Sequence, residues 1–184
     1  TYGGLPLVMK KKGHEEKAKY LESLFGKIYI GDIIERNKIL HDKSVLDDLL
    51  NIISSSVGSL TNASKISKTF KSERQVSISD ETVSRYLDFF IDAFMIYKAE
   101  RYDVKGRKYI GSPLKYYFSD VGLRNARLNF RQQEENHIME NIIYNELCNR
   151  EFSVDVGVVE YCYKDKDKKS KRAQLEIDFV ANKG

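Results

Sequence analysis

Residues 60–108 read LTNASKISKTFKSERQVSISDETVSRYLDFFIDAFMIYKAERYDVKGRK, and the periodicity of this stretch decides the fold. From Thr82 to Ile96 the apolar residues Val83, Leu87, Phe90, Ile91 and Phe94 recur three and four apart, which predicts a helix with one apolar stripe. Ser79 suits its N-cap, and Asp80 and Glu81 put acid in the first turn, where the helix dipole favours it. Upstream, Asn62 or Thr61 can cap a short helix with Ala63, Ile66 and Phe70 on one side and Lys65, Lys68 and Lys71 on the other. The link Ser72–Ser77 is polar and turn-like. Downstream, Met95–Tyr102 has strand composition, Val104–Arg107 can turn, and Lys108–Ile110 can return as a second strand. Two short helices followed by a basic hairpin predict a winged helix-turn-helix.

In such a module the N-terminal half of the second helix enters the major groove, which makes Thr82, Ser84 and Arg85 the candidate DNA-reading residues. Lys65, Lys68, Lys105, Arg107 and Lys108 are candidate phosphate contacts, with Lys71 and Arg74 beside them. Asp80, Glu81 and Asp88 weigh against DNA. Winged modules also serve as protein-docking units, so a protein partner stands as the rival reading.

Working outward, Gly3–Pro6 is a turn and Lys10–Gly13 a solvated basic segment. A helical pattern from His14 has Ala18, Leu21, Leu24, Phe25 and Ile28 on one side, weakened at Gly26 and Gly31, and continues through Asp32–Arg36. Val45–Ile53 presents Leu46, Leu49, Leu50 and Ile53 as a core face, and Ser54–Ser59 ends it. After the hairpin, Ser112-Pro113 should break structure, Leu114–Phe118 should form another strand, and Ser119–Arg124 a short turn or helix. Asn129–Gln133 reads as a linker. Glu134–Arg150 reads as a helix with Ile138, Met139, Ile142, Ile143 and Leu147 facing the core. Val154–Tyr163 and Ala173–Ala181 read as strands joined by the basic loop Lys164–Arg172, whose excess of four positive charges equals the net +4 of the whole chain. The expected organisation is a helical segment over 1–40, a winged module over 41–128, and the start of an α/β unit over 129–184.

The 184 residues, 41% hydrophobic and 11% aromatic, suffice for a real core and exclude global disorder. Cys148 and Cys162 make no disulfide framework, and no Cys/His cluster has zinc spacing, so a reducing cytoplasm is expected. No signal peptide is expected, and no apolar run in these residues is long enough to span a membrane. The chain starts at Thr1 without Met and reads as part of a longer protein. His14, His41 and His137 are scattered, and Tyr97, Tyr102, Tyr109, Tyr116 and Tyr117 are expected to pack the hairpin rather than stack on bases.

With these pieces in order, the chain resembles the C-terminal half of a family of prokaryotic AAA-type P-loop ATPases, in which an ATPase domain precedes a domain of unknown function. The resemblance rests on Gly3-Gly4-Leu5-Pro6, Asp32-Ile33 with Arg36, Thr82-Val83-Ser84-Arg85-Tyr86-Leu87, and Arg101-Tyr102-Asp103 with Lys105-Gly106-Arg107. It continues in Lys115-Tyr116-Tyr117 with Asp120-Val121-Gly122-Leu123, Glu140-Asn141 with Asn145-Glu146-Leu147, and Glu176-Ile177-Asp178-Phe179-Val180. It implies an ATPase domain upstream, with ATP and Mg²⁺ as that domain's cofactors and the domain itself as a partner. No G-x-x-x-x-G-K-[ST] occurs here, so this chain should not hydrolyse ATP. The family's tail looks like a PD-(D/E)xK, restriction-endonuclease-like fold. Glu140 then matches the helix acid and Asp178 the strand Asp, while the Glu-x-Lys strand would begin beyond Gly184.

The fold class expected is therefore α+β, mostly helical, a winged helix-turn-helix followed by a truncated nuclease-like α/β unit. Glu176 and Asp178 are two apart on a strand and should share a face opposite Leu175, Ile177 and Phe179. Such hard oxygen pairs can hold Mg²⁺ against a phosphate, so Asp178 and Glu140 are the candidate, weak metal ligands, with Glu176 nearby and Glu146 as an alternative helix acid. Without the lysine of the next strand the nuclease remnants should be inactive. The expectation is a non-catalytic, DNA-binding unit serving an ATPase, with double-stranded DNA as partner. The alternatives are a docking module and a part of a metal-dependent nuclease.

Overall fold

The computed structural model describes residues 1–39, 43–131, 134–164 and 170–183, with side chains at all of these but 27–29. His41, Gln132, Gln133, the Ile28 side chain and the centre of the basic loop at 165–169 lie outside the described residues.

The helices are α1 (Pro6–Met9), α2 (Gly13–Ser23), α3 (Gly31–Arg36), α4 (Lys43–Ser55), α5 (Ala63–Thr69), α6 (Asp80–Asp92), α7 (Val121–Arg127) and α8 (Glu135–Asn149). The strands are β1 (Ile96–Asp103), β2 (Lys108–Phe118), β3 (Ser153–Lys164) and β4 (Ser170–Asn182). They form one mixed sheet in the order β2-β1-β3-β4. β1 runs antiparallel to β2 and parallel to β3, and β3 antiparallel to β4. The fold is α+β, with roughly half of the chain helical. The parallel β1–β3 pair joins residues on either side of position 129, and buried residues from Val8 to Val156 form one cluster.

Local chemistry explains several helix starts. Asn62 caps α5 by accepting from Lys65 N at 2.8 Å, and Ser79 caps α6 by accepting from Thr82 N at 3.2 Å. The weak point around Gly26 is a π-helical segment, Leu24–Ile30, between α2 and α3. On α4, Leu46, Leu49, Leu50 and Ile53 are all buried. On α6, Val83, Leu87 and Phe90 are buried as the stripe requires, and Tyr86 joins them.

Phe94 departs from that stripe. α6 ends at Asp92; Phe94 takes φ 55° and is 72% exposed. Phe94 N donates to Ile91 O and Met95 N to Phe90 O, so the chain reverses in a Schellman turn that sends Met95, not Phe94, into the core. Ser112-Pro113 does not break β2 either. The four residues Gly111–Leu114 bulge outward opposite Glu100, and Leu114 pairs with Thr61, each backbone N–H donating to the other's carbonyl at 2.8 Å. The expected separate strand Leu114–Phe118 is thus the second half of β2.

The largest departure is α8. Met139, Ile142 and Ile143, expected in the core, are 58%, 49% and 43% exposed, while Asn141 and Tyr144 are buried. β2 is an edge strand, and Phe118 directs its backbone away from β1. Asn141 supplies the missing partner twice: Phe118 N donates to its Oδ1 at 2.8 Å, and its Nδ2 donates to Phe118 O at 2.7 Å. Asn145 Nδ2 adds bonds to the carbonyls of Phe118 and Ser119. Half-exposing an isoleucine forfeits about 1 kcal/mol. Orphaning a buried N–H costs about 1–3 kcal/mol, and a buried unpaired charge about 3–5 kcal/mol. The polar face therefore wins the inward position.

The N-terminal segment is bound by similar means. Asp120 caps α7 through Gly122 N and Leu123 N, and its other oxygen accepts from Gly4 N at 2.7 Å. A Cβ at Gly3 would collide with that carboxylate, and one at Gly122 with the Tyr2 carbonyl, which accounts for both glycines.

Candidate functional site

β2 carries Lys115 and Tyr117 on the face covered by α8, and both reach Glu140. Lys115 Nζ lies 2.7 Å from Glu140 Oε1 and 2.7 Å from Glu176 Oε1, with Asp178 Oδ1 at 3.8 Å. Tyr117 Oη donates to the same Glu140 oxygen at 2.6 Å. The lysine side chain is 3% exposed, Glu140 14%, Glu176 37% and Asp178 69%. Gly58, at φ 70°, backs the Glu140 carboxylate so closely that a Cβ there would lie 3.0 Å from Oε2. Glu140, Glu176 and Asp178 thus converge from α8 and β4 on one ammonium.

Burial works to lower the Lys115 pKa, but the hydrogen bonds it donates to Glu140 and Glu176 outweigh it and hold the lysine above its ordinary value. Burial, then the bond to Glu140, pushes the Tyr117 phenol far up, so it stays a proton donor. Tyr117 stacks on Tyr144 with ring centroids 4.3 Å apart, and Phe179 closes on both at 6.3 and 6.5 Å. Phe179 therefore shares the acids' side of the sheet, against the simple alternation expected. A bulge in β4 opposite Asp155–Gly157 inserts one residue and turns Phe179 inward.

Lys115 also decides the fit of a metal. A divalent ion among Glu140, Glu176 and Asp178 would have to displace or sit against a full positive charge already bonded to two of them. Among the described residues no group of three or more His, Cys, Asp or Glu side chains is arranged to hold a metal. As they stand, Asp178 and Glu140 are ion-pair partners, and these residues do not fit Mg²⁺. Glu146, the alternative helix acid, instead pairs with Arg150 at 2.7 Å.

The DNA candidates divide into two groups. Ser84 lines a cleft of about 380 Å³ between α5, α6 and the β1–β2 hairpin, with Asn62, Ser64, Asp88, Lys98 and Ser112. Asn62 and Ser64 also line an adjoining groove along α5 with Lys65, Lys68 and Ser72. Arg85 is exposed next to Ser84 and lies over the Tyr86 ring, while Thr82 is half-buried at the capped end of α6. Lys105, Arg107 and Lys108 line neither groove. They sit at the hairpin tip, where Asp103 Oδ1 accepts from Lys105 N and Gly106 N, and Lys105 Nζ turns toward β3 to donate to Glu160 O at 3.4 Å. The expected tyrosine packing is present in the hairpin pair Tyr102–Tyr109, 5.4 Å apart.

Sequence reasoning missed Lys115 and Tyr117 as site residues. The signal was a lysine at a strand position two residues from an aromatic, which cannot be buried without acids facing it.

The chain is thus an α+β domain with a buried lysine–carboxylate cluster on one face of its sheet and a polar, basic-rimmed groove against the helices on the other. It belongs to the family described as Domain of unknown function (DUF8612), which it matches over residues 1–134. It is similar to an uncharacterized protein of Haemophilus influenzae, 37% identical over 182 residues, covering 99% of this chain and 42% of the relative. It is also similar to an uncharacterized protein of Methanocaldococcus jannaschii, 27% identical over 179 residues, covering 97% of this chain and 37% of the relative. The chain therefore spans about two fifths of the length of these relatives. No solved structure matches.

Proposed function

We propose that this domain binds double-stranded DNA without cutting it, as a winged-helix unit within a longer cytoplasmic ATPase. The observation that carries the reading is the pair of adjoining grooves where α5 and the N-terminal half of α6 face β2. Hydroxyl and amide groups from Asn62, Ser64, Ser84 and Ser112 line them together with Lys65, Lys68, Lys98 and one acid, Asp88, and Arg85 is exposed beside Ser84. Side chains of these types give non-specific, salt-sensitive contacts to phosphates. The hairpin tip, with Lys105, Arg107 and Lys108, adds a second, more distant basic point. The absence of cutting follows from Lys115, which binds the nuclease-like acids to one another. The test compares wild type with Arg85→Ala and Lys65→Ala/Lys68→Ala in gel retardation, and assays plasmid nicking with Mg²⁺ and Mn²⁺. Weaker retardation in both variants and intact plasmid are expected. Unchanged retardation would remove the groove from the account, and nicking abolished by Asp178→Ala would replace it with a nuclease.

The exposed stripe Met139, Ile142 and Ile143 favours a second reading, in which the domain docks on the ATPase domain that the resemblance implies. Under that reading Ile142→Asp breaks association with the ATPase domain and leaves DNA retardation unchanged.

A further inference from the structure

Arg101 carries a buried positive charge on β1, and its role does not depend on duplex binding in the grooves. Four buried side-chain polar atoms have no hydrogen-bond partner among the described residues: Ser54 Oγ, His137 Nδ1, Asn145 Oδ1 and Arg101 Nε. Only the last belongs to a group that is charged at every accessible pH. Arg101 is 7% exposed. The other two buried cations among the described residues are engaged. Lys115 is held by Glu140 and Glu176, and Arg124 donates to the Ser54 carbonyl at 2.9 Å and to Asn125 Oδ1 at 3.2 Å. Arg101 has instead one neutral partner among the described residues, Nη2 donating to Gln174 Oε1 at 3.0 Å. The side chain crosses β3 to reach it, because β1 and β4 are not neighbours in the sheet. A buried charge left without a counter-charge is costly, so this guanidinium calls for an anion.

The end of the guanidinium meets solvent-facing residues. Gln174 is exposed, as are Glu160, Lys105 and Arg172. Gln174 Nε2 donates to Glu160 Oε1 at 2.6 Å, and Lys105 Nζ donates to the Glu160 carbonyl at 3.4 Å. Arg172 lies two residues from Gln174 along β4 and shares its face. The acids nearby are engaged, Glu160 by the Gln174 amide and Glu176 by Lys115. We propose that Arg101 is the floor of an oxyanion site that takes a phosphate group, with Gln174 as its movable lip and Lys105 and Arg172 at its rim. One phosphate oxygen takes the place of Gln174 Oε1 at Nη2 and a second accepts from Nε, the side-on fork that a guanidinium offers to phosphate. Three cations about one point suit a dianion better than a single carboxylate. Free phosphate, the terminal phosphate of a strand and a backbone phosphodiester all present this chemistry.

The experiment compares melting of the purified chain in about 20 mM inorganic phosphate and in chloride of equal ionic strength, for wild type and Arg101→Met. With phosphate at about ten times its Kd, the wild-type melting temperature should rise by about 3–6 °C, and that of Arg101→Met by less than about 1 °C. In chloride Arg101→Met should melt at or above wild type, because it removes a charge that has no counter-charge. An equal rise in both proteins would overturn the proposal. So would an Arg101→Met that fails to fold, since Arg101 would then be a structural residue. A second measurement needs no variant: wild type should broaden the phosphorus-31 resonance of inorganic phosphate, and an unchanged line would overturn the proposal equally. Competitors then identify the source. A short single strand that sharpens the line only with a 5′-phosphate points to a terminal phosphate, and one that sharpens it also with a 5′-hydroxyl points to the backbone. A line that neither strand sharpens points to free phosphate.

Discussion

Replacing Asn141 by alanine tests the inverted orientation of α8 directly. Asn141 is 1% exposed, and its amide satisfies both backbone groups of Phe118. In Asn141→Ala the Phe118 carbonyl keeps Asn145 Nδ2 at 2.9 Å, so only the N–H is orphaned. That N–H costs about 1–3 kcal/mol, and the emptied amide volume adds about 1 kcal/mol, for a total near 2–4 kcal/mol. The comparison is Ile142→Ala. Deleting a fully buried isoleucine to alanine costs about 2–5 kcal/mol, but Ile142 is 49% exposed, so its loss should be about 1 kcal/mol or less. Urea unfolding followed by circular dichroism gives both values, with the midpoint read at unchanged slope. The reverse order, with Ile142→Ala the costlier and Asn141→Ala within about 0.5 kcal/mol of wild type, would refute the orientation of the helix.

Two further outcomes follow from the same packing. Phe90→Ala should cost about 3–5 kcal/mol because Phe90 is wholly buried, whereas Phe94→Gly should be neutral or gain up to about 1 kcal/mol by relieving a left-handed backbone at an exposed side chain; equal losses in thermal melts would show that the end of α6 is wrongly placed. Lys115 has a folded pKa above its unfolded value of 10.5, so its contribution is complete below that pH and is lost as pH rises through the folded value; a melting temperature that stays level through neutral pH and falls further in Lys115-containing protein than in Lys115→Met/Glu140→Gln above about pH 10.5 is expected, and identical alkaline profiles would contradict it.

Much of the fold was legible because many elements obey local rules. The periodicity of α4, the caps Asn62 and Ser79, and the turn between β1 and β2 are readable from neighbouring residues alone. The failures share a cause, which is that the deciding partner is remote in sequence. α8 has isoleucines at helical spacing, and nothing local says that Phe118, 23 residues earlier, needs the Asn141 amide more than the core needs Ile142. Phe94 fits the stripe by spacing, but the turn that carries Met95 into the core removes it. At the site, the resemblance implies Glu140 and Asp178, strand spacing adds Glu176, and the structure brings the three together. Their meeting point, Lys115, gives no local sign of its role, because a lysine in a strand reads as a solvated residue until three acids are seen to converge on it.

The salt dependence of duplex binding tests the central claim most directly. Fluorescence anisotropy of a labelled duplex, titrated with the chain between about 50 and 200 mM salt, measures it. Contacts from Lys65, Lys68, Arg85 and Lys98 correspond to about three or four phosphates, which predicts micromolar binding at low salt and a slope of log affinity against log salt of about −3 to −4. No binding at about 50 mM salt and tens of micromolar protein, or binding whose affinity does not change with salt, would contradict the account.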